Sequence, residues 1–130
     1  MLFSFRIRSP ERDQATDQSR FDELLQSIHK AISAVERESN GLRARAEGAR
    51  ASASFALEAL DDDHDNVVID ERIRALTDTL LRCEQRLEQL DRQARFLDQL
   101  FKDVLDFRSD DLLIHQPALN NRTASSLPNR

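Results

Sequence analysis

A chain of 130 residues that is 39% hydrophobic and 33% charged, with two glycines and neither tryptophan nor tyrosine, suits exposed helix better than a globule with many turns. Its net charge of −5 disfavours nucleic acid or an anionic membrane as the main partner, because phosphate binding needs a net basic face. One cysteine rules out an intrachain disulfide, and no run approaches the roughly 18 apolar residues needed to span a bilayer.

Residues 1–9 form the first segment. Phe3, Phe5 and Ile7 alternate with Ser4, Arg6 and Arg8, a period of two that predicts an extended apolar arm. Arginines interrupt this stretch, unlike the apolar core of a secretory signal, so a cytoplasmic setting is expected. Ser9-Pro10-Glu11 then reads as a helix start, with a serine cap, proline at the first helical position and an acid in the first turn. A second start lies at Ser19 to Asp22, so helix 1 is predicted to begin between residues 10 and 20 and to end near Leu60.

From Phe21 onward the apolar residues step by four and three. Helix 1 carries Phe21, Leu25, Ile28, Ile32, Val35, Ser39, Leu42, Ala46, Ala49, Ala53, Ala56 and Leu60. After a turn predicted over 61–66, rich in aspartate, the same stepping resumes in helix 2, predicted over 67–108. Its seam is Ile69, Ile73, Leu76, Leu80, Cys83, Leu87, Leu90, Ala94, Leu97, Phe101 and Val104. A repeat averaging about 3.5 residues holds one stripe of a helix toward a partner along its whole length. Only Ser39 breaks the apolar rule, and Cys83 reads as a small buried hydrophobe rather than a reactive thiol.

A short linker favours antiparallel neighbours. Antiparallel registration sets Leu60 opposite Ile69, Ala53 opposite Leu76, Ala49 opposite Leu80, Ile28 opposite Phe101 and Leu25 opposite Val104. In the layers near the turn small residues face large ones, which keeps a seam filled without overpacking. The expected fold is therefore all-α: a long antiparallel two-helix coiled-coil hairpin. Residues 109–130, with one apolar knot at Leu112-Leu113-Ile114, read as a largely disordered tail.

The flanks of the seam differ. On helix 1 the positions labelled b and e in the heptad are polar apart from Leu57. Positions c and g hold Leu24, Ala31, Gly41, Gly48 and Phe55 among small or apolar neighbours. Helix 2 adds Leu100 and Phe107 at g and Phe96 at c. A helix apolar beyond its seam usually packs on a further helix. Each glycine costs about 1 kcal/mol relative to alanine in a helix interior. The pair marks either a close backbone approach or tolerated surface positions. A single seam offsets little of the cost of ordering every residue. The hairpin is thus expected to be completed to a four-helix bundle, by dimerisation or by a helical partner. Leu24, Ala31, Gly41, Gly48, Phe55, Phe96, Leu100 and Phe107 are the candidate interface. Alternatively, the arm and the knot cover part of this face and the chain stays monomeric.

No reaction centre is legible. His29, His64 and His115 lack ligand spacing, and the aspartate-rich turn lacks the glycine and distal glutamate of a calcium-binding loop. There is no glycine-rich phosphate loop, and no cofactor, metal or small-molecule substrate is expected, nor enzymatic activity. The sequence therefore points to a non-enzymatic scaffold or assembly subunit. The alternative is a small acidic secretion or assembly chaperone, or a stalk-like hairpin of an export apparatus, that engages a helical client. Nucleic-acid or membrane binding through the basic clusters and the apolar arm forms a third, less favoured class.

Overall fold

The computed structural model describes residues 9–114. They form two helices, α1 over Pro10–Asp62 and α2 over Val67–Ile114, packed antiparallel as an all-α hairpin. The arm expected over residues 1–8 and the tail over 115–130 lie outside the described residues.

Both helix starts follow from side-chain caps. The Arg12 amide donates to the Ser9 carbonyl oxygen at 3.0 Å and to Ser9 Oγ at 3.3 Å, so α1 takes the earlier of its two predicted starts. Asn66 Oδ1 accepts from the amides of Val68 at 3.1 Å and Ile69 at 3.3 Å, which satisfies two donors left open at the start of α2. The Asn66 side-chain amide also donates to Asp63 Oδ2, and its backbone amide to the Asp63 carbonyl, both at 3.2 Å. The connection is thereby shorter than predicted. Asp61 and Asp62 belong to α1, and only residues 63–66 link the helices. Nothing in the structure explains the excess of aspartate at this end of α1, where the helix dipole disfavours negative charge.

The larger correction is at the end of α2, which continues through Ser109 to Ile114 where the sequence predicted an end at 108 and a tail. The seam does not stop at Val104. It runs on through Arg108 and Asp111, both half-buried, and so turns polar. Hydrophobic stepping cannot register such a continuation, whereas an arginine can lay its apolar stem on a seam and keep its head in water.

Contacts divide the chain into two units. Of the described residues, a turn unit spans Lys30–Leu97, and a terminal unit joins 9–29 with 98–114. In the turn unit the buried residues are Val35, Ser39, Ala46, Ala49, Ala56, Cys83 and Leu90; in the terminal unit they are Ile28 and Val104. All of them are predicted seam positions. The remaining seam residues, including Leu25, Ile32, Leu42, Ala53, Leu76, Leu80, Leu87, Leu97 and Phe101, are half-buried. Leu90 is the most enclosed, at 1% exposure. The same antiparallel register sets it opposite Ser39, and both line one groove with Val35, Leu87 and Ala94. Among the described residues no fully buried side-chain nitrogen or oxygen lacks a partner, and Ser39 borders this open groove, where water can reach its hydroxyl.

Ties between the helices agree with the predicted register within each unit. In the turn unit Arg50 meets Glu84 at 3.6 Å, both at e positions. Arg43 and Asp91, also at e positions, turn to neighbours on their own helices, Asn40 and Arg95. On the opposite flank Glu38 pairs with Arg86. In the terminal unit the rings of Phe21 and Phe107 pack with centroids 5.3 Å apart and planes tilted by 45°, and Arg108 donates to Asp22.

Candidate interaction surface

Apolar side chains left outside the seam are the surface that calls for explanation. In the turn unit Phe55 is 72% exposed and Phe96 66% exposed, both at c positions, where the helix presents a side chain beyond its seam. A lone exposed leucine needs no special account, but exposed phenylalanines at related positions do.

Each of these rings borders an open groove. Phe96 lines one with Ala31, Ala34, Val35 and Leu97, and Glu38 and Gln93 supply the polar atoms. Phe55 lines another with Ser52, Ala56, Ala59, Ile69 and Arg72. The small residues on α1 produce these hollows: alanine and serine beside the seam leave room that leucine would fill. Such grooves are too open to enclose a small molecule, but they suit ridges of side chains on another helix.

Gly41 and Gly48 lie at c positions on the same stripe of α1. A Cβ added at either would meet nothing within 4 Å, so no contact inside the described residues requires a glycine there. Both remain free for a neighbour to approach the backbone closely, or for alanine to replace them at no steric cost.

The sequence reading missed the ion pair that crosses this flank. Arg86 Nε donates to Glu38 Oε1 at 2.7 Å and Nη2 to Glu38 Oε2 at 3.1 Å, while Nη1 holds Gln89 Oε1 at 3.1 Å. The hydrogen bonds from Arg86 hold the Glu38 carboxyl below its ordinary range, and those to Glu38 raise Arg86 further. The apolar ribbon is thus not continuous in the turn unit; a fork-shaped salt bridge interrupts it. The signal is present in the sequence, since g faces g in an antiparallel pair and both residues occupy g positions.

In the terminal unit Leu24 and Phe107 are exposed at 43% and 56%, and Leu100 is half-buried. Phe107 is not wholly free for a partner, since its ring packs against that of Phe21 at a 45° tilt. Leu57, the one apolar residue of the b and e flank predicted on helix 1, is exposed, and so are Leu81 and Leu105 at b and e positions of α2.

Among the described residues no group of three acids, histidines or cysteines could hold a metal ion. No described helix is long and apolar enough to cross a membrane. Cys83 is a free thiol buried in the seam. The chain matches no family model, no curated protein and no solved structure.

Proposed function

We propose that this chain is a non-enzymatic interaction module, a helical hairpin whose c/g flank in the turn unit receives a further helix. The reading rests on one observation: Phe55 and Phe96 stand exposed beside grooves floored by seam residues and walled by alanine. Burying a phenylalanine contributes about 1.5–3 kcal/mol, so two such rings suffice to anchor an interface whose other contacts exclude water. Glu38 and Arg86 then serve as a polar fixed point that orients the incoming helix. A scaffold or assembly subunit is the role that needs no more chemistry than this surface offers.

Light scattering on the full chain, followed by co-purification from its native host, tests the reading. The expected result is a stable assembly, either a dimer or a complex with a helical protein. Phe55→Asp with Phe96→Asp should abolish it and leave helix content unchanged. A folded chain that stays monomeric at all concentrations and retains no helical protein would overturn the proposal.

A further inference from the structure

The terminal unit presents a second apolar face, and its charge is lopsided. At its c and g positions Leu24, Phe107 and Ile114 are exposed and Leu100 half-buried. The same positions carry Asp13, Asp17, Asp103 and Asp110. Among the described residues at these positions the one cation is Arg20, already paired with Asp17 at 3.6 Å. The opposite flank is balanced, with Asp22 and Asp98 against Arg12 and Lys102. An apolar face rimmed by carboxylates fits an occupant that is apolar and cationic.

The chain carries such a segment. None of its 24 carboxylates falls within residues 1–8, where Phe3, Phe5 and Ile7 alternate with Ser4, Arg6 and Arg8. Residues 115–130 also lack acids, but they contain no aromatic residue and no such alternation. We propose that residues 1–8 fold back over the c/g face of their own terminal unit. Ile7 then lies toward Ile114, Phe3 lies toward Phe107 and Leu24, and Arg6 and Arg8 reach the aspartate rim.

The reach agrees with this placement. Ser9 caps α1, so the segment starts at a fixed point. The contacts of Phe21 with Phe107 and Asp22 with Arg108 put Phe107 level with the start of α1's seam. At a rise of about 1.5 Å per helical residue, Ile114 lies about 9 Å along the axis from Ser9, and Phe107 about 20 Å. An extended chain covers about 3.3 Å per residue, which carries Ile7 about 7 Å and Phe3 about 20 Å from the same point. Alternation also turns all three apolar side chains to one side.

The full chain contains no tryptophan, so Phe107→Trp gives a single reporter on this face. Leu24→Trp gives a second that does not disturb the packing on Phe21. We expect blue-shifted emission from both at every protein concentration. It should move to the red when Phe3, Phe5 and Ile7 become aspartate, and when Arg6 and Arg8 become glutamate, but not when residues 115–130 are removed. Three results would overturn the proposal. One is emission already typical of exposed indole in the full chain. Another is a blue shift that survives the substitutions in residues 1–8 or depends on residues 115–130. The third is a blue shift lost on dilution, which would assign the face to a second copy. The readout is independent of the proposed function, because Phe55→Asp with Phe96→Asp should leave it unchanged.

Discussion

Arg86 on α2 grips Glu38 on α1 with two parallel hydrogen bonds, Nε to Oε1 at 2.7 Å and Nη2 to Oε2 at 3.1 Å. This two-point geometry distinguishes it from the single contact between Arg50 and Glu84 at 3.6 Å. Both partners are nearly half exposed, so salt weakens the pair.

The pair gives a pH dependence with a definite sign. Hydrogen bonds from Arg86 lower the Glu38 pKa in the folded chain below its ordinary value of 4.5. A lowered folded value stabilises the fold above the ordinary pKa, and that contribution disappears as pH falls through the folded pKa. Glu38→Gln should therefore melt below the parent at neutral pH, and the gap should close as pH drops below the ordinary carboxylate range. Thermal melts followed by circular dichroism across pH 2–7 would check this. A constant gap at all pH values would show that the substitution acts through packing instead.

Gly41→Ala and Gly48→Ala should each stabilise the isolated chain by about 0.5–1 kcal/mol, since the new Cβ enters open space and alanine is the better helix former. Urea unfolding measures the gain. If the incoming helix of the proposed complex rests on this stripe, the same substitutions should weaken association while raising the stability of the free chain.

Leu90→Ala should cost about 2–5 kcal/mol, because Leu90 is 1% exposed and its partner across the seam, Ser39, is too small to fill the void. Cys83, buried in the same unit, supplies the readout. Its reaction with a thiol reagent should be slow in the parent and faster in Leu90→Ala by the factor that denaturant unfolding assigns to the lost stability.

Much of this architecture was legible in the residues because a coiled-coil seam is written locally, in steps of three and four. Every buried residue among those described lies on that seam, down to Ser39 and Cys83. The seam became illegible where it turned polar. Arg108 and Asp111 continue the stepping past Val104, but both count as charged in hydropathy, and Arg108 is placed by its apolar stem and its contact with Asp22. The flank surface was partly legible for a similar reason. Periodicity placed Phe55 and Phe96 outside the seam, and the structure leaves them exposed. Periodicity did not reveal that Glu38 and Arg86 cross the same flank, which depends on long side chains meeting between helices.

The brevity of the link at residues 63–66 has a kinetic consequence. Loop-closure entropy is smallest for partners nearest the bend, so Ala56 and Ile73 can meet early, whereas Leu25 and Val104 must bring together distant stretches of chain. Assembly should then proceed like a zipper from Asn66 outward. Asn66→Ala, which removes the cap and about 1 kcal/mol, should slow refolding, and Val104→Ala should mainly hasten unfolding. A cell making this chain would hold the first helix without its mate until synthesis has passed the bend.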